Sequence, residues 1–229
     1  MEVVAHRGAS GEAPENTLAA FRLAWQQQAD GIECDVHLSR DARVMVHHDP
    51  DTRRCAGVDC RIAETDSDCL RRLDVGRWKS PSYAGERMPY LEEVLALAPA
   101  GTRVLVELKC GPEIVPALAR SLAGAGRIRL ALIAFRTDSL DACRRQLPDY
   151  PCYLLAAPEC PDAGYDAAKL IHLARQHGCA GLDLDHRGLD SRAATRIQAV
   201  GMELLCWTVN DPERAIQLRD WGVGVLTTD

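Results

Sequence analysis

Apolar and polar residues alternate in short runs that end on charged side chains: VVA before His6-Arg7-Gly8, GIECDV carrying Glu33 and Asp35, RVMVH before His48-Asp49, and VLVELK carrying Glu107 and Lys109. Successive strand residues project to opposite faces, so each run predicts a strand whose alternate polar side chains point the same way. The same pattern predicts nine strands, over 2–6, 31–37, 43–48, 103–108, 130–135, 152–156, 180–184, 203–209 and 223–227. Helical periodicity fills most of the gaps, with Leu18, Phe21 and Trp25 along 15–28 and Leu140, Cys143 and Leu147 along 137–147. Strands that alternate with helices predict a parallel sheet.

One gap breaks the alternation. The few residues between 37 and 43 are too short for a parallel crossover, which needs a dozen or more, so 43–48 must return antiparallel to the strand before it. A second strand that runs past the sheet, turns at Ser39-Arg40-Asp41 and comes back beside its own extension delivers His48 to the rim that holds Glu33 and Asp35. Setting that hairpin aside leaves eight parallel strands, the (β/α)8 TIM barrel, whose sites lie at the C-terminal strand ends. Residues 49–88 resist the repeat, being rich in Asp, Arg, Gly, Ser and Pro with a short helical stretch near 66–73, and are expected to form an insertion over the barrel mouth. The whole of 1–229 is expected to be one catalytic domain, with no helix after the last strand.

Composition narrows the partners. The chain has 229 residues, 47% hydrophobic and 26% charged, enough for one large core, and its formal charge of -6 without a Lys/Arg run argues against nucleic acid. No apolar stretch approaches a membrane span, and the start MEVVAHRG has no signal-peptide pattern, so a cytoplasmic protein is expected. The ten cysteines show no zinc spacing; most sit in apolar runs as buried thiols, while Cys55 and Cys60, close together in a polar loop, leave a disulfide or metal role open.

The chemistry gathers at the strand ends. Glu33 and Asp35 flank Cys34, which faces the helices, and two inward carboxylates repel each other unless something positive sits between them: a hard cation, Mg²⁺ or Ca²⁺, or else Lys109 or Arg7. Glu107 supplies a third ligand, with Lys109 one step along the same face. His6-Arg7 opens a glycine loop suited to an anion, with Arg7 able to fork onto phosphate oxygens and His6 able to move a proton, although both also fit structural roles on the rim. Of His47 and His48 only one can face inward; His48 is the choice, leaving His47 at the surface. Two histidines permit one to protonate a leaving alkoxide while the other handles the nucleophile's proton. Asn16 is open between an N-cap and a site residue, Asp183 and Asp185 between structural and hydroxyl-binding roles, and Trp207 between core packing and an apolar wall against substrate. Asn210-Asp211-Pro212 reads as a helix start.

In order and spacing, HRG, PENT, IECDV, HHD, MPYLEEVL, VELK, WTVN and LTTD resemble the glycerophosphodiester phosphodiesterase family over almost the whole chain. The resemblance implies a (β/α)8 barrel with a small insertion, and metal-dependent hydrolysis of glycerophosphodiesters to glycerol 3-phosphate and an alcohol. It assigns His6 and His48 as the acid/base pair, Glu33, Asp35 and Glu107 as ligands of one divalent cation, Arg7 and Lys109 as phosphate clamps, and Trp207 to the glycerol side. Gly222-Val223-Gly224 departs from the family's GVD, and Ala134 stands where serine is common. Two rival readings are an enzyme acting on intact lipid, which the polar character of 49–88 disfavours, and a non-catalytic barrel that senses the same ligands.

Overall fold

The computed structural model describes residues 1–160 and 163–229. Its strands are β1 (Glu2–Ala5), β2 (Gly31–Leu38), β3 (Val44–Val46), β4 (Arg103–Leu108), β5 (Arg129–Ala134), β6 (Cys152–Ala156), β7 (Gly181–Asp185), β8 (Glu203–Trp207) and β9 (Val225–Thr228). Parallel pairing runs β1-β9-β8-β7-β6-β5-β4-β2 and closes through β1 against β2, with Val4 opposite Gly31 and Ala5 opposite Ile32. The ring is therefore a closed eight-stranded TIM barrel. β3 lies outside it, antiparallel on the extension of β2 with Val36 opposite Val46, which is the hairpin that the short connection required. The departure at 222–224 leaves closure intact, since the Gly224 amide donates to Leu204 O at 2.9 Å and β9 pairs on both sides.

The helices are α1 (Leu18–Gln26), α2 (Arg53–Ala56), α3 (Ser67–Leu70), α4 (Leu91–Leu97), α5 (Val115–Leu122), α6 (Thr137–Gln146), α7 (Ala167–Gln176), α8 (Ser191–Ala199) and α9 (Pro212–Asp220). Alternation along the strands sorts side chains into two apolar layers. Outward residues such as Cys34, Val106, Leu132 and Leu184 pack under the helices. Val4, Leu105, Ala131, Ile133, Tyr153, Leu155, Leu205 and Val225 fill the barrel itself. The N-terminal end of the barrel is closed by charge instead: Arg103 bridges Glu2 at 2.6 Å and Glu203 at 3.0 Å, and Arg129 adds a second cation on Glu2 at 2.5 Å.

Capping follows local chemistry. Thr17, not Asn16, caps α1, its hydroxyl accepting from the Ala20 amide at 3.2 Å, which frees the Asn16 side chain for the site. Asp211 caps α9 ahead of Pro212, the start that the sequence indicated. The segment between β3 and α4 builds a small core on Met45 of β3 from Cys55, Ile62, Leu70, Val75 and Met88. That segment is tied to the loop after β1 by Arg54 on Glu15 at 2.8 Å and by Lys79 Nζ donating to Ser10 O at 2.7 Å. Cys55 and Cys60 are both free thiols. No helix among the described residues is long and apolar enough to cross a membrane.

Candidate active site

Each carboxylate of the site comes from a barrel strand. Glu33 and Asp35 face inward from β2, Glu107 from β4, and the register that sets Asp35 opposite Glu107 brings the three together. One ligand oxygen from each lies within 4.8 Å of the others. Glu33 is 3% exposed and Asp35 fully buried, and Glu33 Oε1 and Asp35 Oδ1 have no hydrogen-bond partner among the described residues. Burial, reinforced by Asp35 and Glu107, pushes the Glu33 carboxyl well above its ordinary value. Burial and Asp35 likewise push Glu107 up to about 7, against the pull of Lys109. For Asp35, burial is outweighed by Lys109, Arg7 and His48, and its pKa falls.

The two cations interleave with these groups. Lys109 Nζ stands 2.6 Å from Glu107 and 3.2 Å from Asp35. Arg7 Nε stands 3.1 Å from Asp35, and Arg7 Nη1 donates to Glu15 at 2.9 Å. Arg7 takes a left-handed backbone, φ 57°, which turns its amide onto Glu33 Oε2 at 3.0 Å. Gly8 follows at φ 80°, and a Cβ there would meet the Ala20 backbone at 2.6 Å, so only glycine lets this loop lie against α1. Asn16, also left-handed at φ 57°, holds Asp35 twice, donating to Oδ2 at 2.8 Å and accepting from the Asp35 amide at 3.2 Å. Of its two open roles, the structure places Asn16 in the site.

Both histidines of the site are held through Nδ1. His6 Nδ1 is 2.6 Å from Asp229 Oδ1, and His48 Nδ1 is 2.7 Å from Asp49 Oδ1. The bond from His6 is the largest cause of the lowered pKa of Asp229, and Arg54 and His48 outweigh burial to lower that of Asp49, so both carboxylates are ionised acceptors. Each bond therefore places the imidazole proton on Nδ1 and leaves Nε2 as the free nitrogen. Burial lowers the pKa of His48. His37, on the face of β2 that carries Glu33 and Asp35, supports the returning strand by a 3.0 Å contact from Nε2 to His48 O.

His47 departs from expectation. It is 4% exposed, not a surface residue, with Nε2 3.1 Å from Asp51 O and its amide donating to Asp35 O at 3.0 Å. Alternation assumed water on the far face of the hairpin, whereas residues after β3 cover that face.

His6, Arg7, Glu33, His48, Glu107 and Lys109 line one side of a cavity of about 250 Å³. The other side is apolar, made by Ile133, Leu155, Phe135 and Trp207, with Asp183 and Thr227 also on the lining. Trp207 meets Phe135 edge to face at 5.8 Å and donates from Nε1 to Asp183 O at 3.2 Å, so it is a wall of the cavity. Asp185 is instead tied to Arg187, 3.0 Å from its Nε, and belongs to the rim. Asp229, Asp49, Glu15, Phe135 and Thr227 received no site role from sequence reasoning; Asp49 in HHD, Glu15 in PENT, and Thr227 and Asp229 in LTTD carried a motif signal, and Phe135 carried none.

A closed parallel barrel with acids, imidazoles and cations gathered at its C-terminal mouth is a TIM-barrel enzyme with a site suited to anionic esters. The chain matches the sequence model of the glycerophosphoryl diester phosphodiesterase family over residues 6–229 and belongs to that family, and with it to the phosphoric diester hydrolases. It is 31% identical to YhdW of Bacillus subtilis, provisionally named a glycerophosphodiester phosphodiesterase, across 100% of this chain and 94% of that protein. It is 29% identical to a glycerophosphodiester phosphodiesterase of Caldanaerobacter subterraneus, across 99% and 93%. Among solved structures, a phosphodiesterase of Oleispira antarctica in complex with the product sn-glycerol 3-phosphate superposes with a TM-score of 0.92 at 29% identity, covering 100% of this chain and 92% of that one.

Proposed function

We propose that this protein hydrolyses glycerophosphodiesters to glycerol 3-phosphate and an alcohol in a metal-dependent reaction, working as one catalytic domain over 1–229 with 49–88 forming part of the mouth. The observation that carries the proposal is the convergence of Glu33, Asp35 and Glu107 within 4.8 Å, on a cavity that also presents His6, His48, Arg7 and Lys109. The product held by the Oleispira enzyme supports the substrate class. The cavity of about 250 Å³ is close to the ~300–1,000 Å³ usual for small-molecule sites.

The three carboxylates fit a hard divalent cation, Mg²⁺ or Ca²⁺. They form an all-oxygen set, Glu33 Oε1 and Asp35 Oδ1 accept no hydrogen bond among the described residues, and the strained ionisation of Glu33 and Glu107 is what a dication relieves. Bound there, the cation supplies positive charge to the phosphoryl oxygens. Arg7 and Lys109 add fixed charge on the same side and orient the phosphodiester. His48, kept neutral by burial and oriented by Asp49, accepts the proton of the attacking hydroxyl or water at Nε2. His6, oriented by Asp229 through Nδ1, takes up a proton from solvent at Nε2 and delivers it to the departing alkoxide. Trp207 packs against the carbon skeleton of the glycerol. We place the protein in the cytoplasm, a compartment that would keep its ten cysteines reduced.

The test is release of glycerol 3-phosphate from glycerophosphoethanolamine and glycerophosphocholine, with chelator and after Mg²⁺ or Ca²⁺ is restored, for wild type and His6→Ala. Activity is expected only in the metal-loaded wild type. Full turnover in chelator and in the variant would remove both metal and histidine from the reaction.

A further inference from the structure

Two polar groups on the cavity wall have no part in the chemistry above. Asp183 on β7 and Thr227 on β9 are each 1% exposed, line the cavity, and lie on either side of β8 in the ring. Asp183 Oδ1 and Thr227 Oγ1 have no hydrogen-bond partner among the described residues. A buried polar atom left unpaired is costly, so two of them facing one cavity mark a place where a ligand supplies the missing partners.

We infer that Asp183 and Thr227 form a hydroxyl-recognition subsite that receives a free hydroxyl of the substrate's glycerol, one that takes no part in attack on phosphorus, and sets selectivity for a polyol over a plain alkyl ester. The inference rests on the proposed reading of the site and adds a specificity determinant to it. Asp183 is not part of the carboxylate cluster, whose converging oxygens belong to Glu33, Asp35 and Glu107. Its neighbour Asp185 shows how this strand satisfies a structural aspartate, through Arg187 and the cap of the turn that follows. Asp183 has no such cation.

The surroundings match glycerol. Ile133, Leu155 and Trp207 offer apolar contact for carbon, Asp183 and Thr227 offer polar contact for hydroxyls, and the clamp side holds the phosphoryl group. Trp207 is pinned over this end by its bond to Asp183 O, so strand β7 sets both the apolar and the polar contact. A recess whose wall carries these two little-exposed polar groups suits the moiety common to all glycerophosphodiesters. Head groups, which differ in size, need the open side.

The experiment compares inhibition of the metal-loaded enzyme by sn-glycerol 3-phosphate and by n-propyl phosphate, which keeps the phosphate and carbon chain but lacks the hydroxyls. Wild type is expected to favour glycerol 3-phosphate by ~10-fold or more, because a site built for hydroxyls penalises an analogue that leaves its polar groups unpaired. In Asp183→Leu and Thr227→Val the preference should fall to within ~2-fold, and Thr227→Ser should restore it. Equal inhibition of wild type by the two phosphates overturns the inference without any variant. So does a preference that survives in both variants, which would leave the two residues to internal water. Direct calorimetric binding of the same two phosphates separates failure of the subsite from failure of the proposed reaction, since it needs no turnover.

Discussion

Glu107 makes the stability of the metal-free protein depend on pH in a direction opposite to that of an ordinary ion-paired carboxylate. Burial beside Asp35 lifts its pKa from 4.5 to about 7, and its side chain is only 12% exposed. Between those two pH values the folded protein keeps a proton that the unfolded chain has released, so the unfolded state binds fewer protons and unfolding free energy falls as pH rises. The contribution is fully present below 4.5 and gone above about 7. At about 1.4 kcal/mol per unit the loss is about 3 kcal/mol, or a melting temperature lower by about 6–12 °C for a chain of this size. His37, His47 and His48, lowered first of all by burial, act in the other sense, gaining stability as pH rises toward 6.5. Glu107→Gln keeps those histidines, removes this carboxyl, and relieves its push on Glu33, a change that acts in the same sense. The assay is thermal unfolding in chelator from pH 4.5 to 8, read as the wild-type melting temperature minus that of the variant. That difference should fall by the stated amount across the range, and excess divalent cation should abolish the fall. A difference that stays flat, or rises with pH, would refute the account of Glu107 as a carboxyl held protonated by burial.

Other perturbations follow from the same contacts. His48→Ala is expected to lower kcat by ~10²–10⁴-fold in the glycerol 3-phosphate assay with the fold unchanged by circular dichroism. Asn16→Ala leaves buried Asp35 with two fewer hydrogen bonds; a loss of about 1–3 kcal/mol in denaturant unfolding and weaker cation binding by calorimetry should accompany it. Arg103→Met at the opposite end of the barrel leaves Glu203 with Tyr153 and Glu2 with Arg129, both partly exposed to water, and should cost about 1–2 kcal/mol in denaturant melts while KM stays at the wild-type value.

What the sequence disclosed and what it hid divide along one physical line. Strand alternation and a connection too short for a crossover were enough to place Glu33, Asp35, Glu107 and His48 at one mouth, because period and loop length are local properties. The groups that hold those residues were not legible. Asp229 meets His6 only because β9 pairs with β1, and Asn16 reaches Asp35 only because two non-glycine residues, Arg7 and Asn16, take left-handed backbone that no glycine announces. His47 was misplaced for a related reason. Its solvent exposure depended on where the residues after β3 pack, and a polar segment gives no periodic signal of the face it covers. Asp183 stood in a visible pairing with Asp185, but only the ring geometry separates the tethered aspartate from the one on the cavity.

Strand β2 carries more than its share of the molecule. Glu33 and Asp35 hang from one of its faces, and His37 on that same face steadies the carbonyl of His48. A slip of one position along this strand would turn all three outward and release the hairpin arm in the same movement. Register-slipped copies therefore lose Glu33, Asp35 and the placement of His48 together, so a population that divides between the two registers should consist of active and inert molecules.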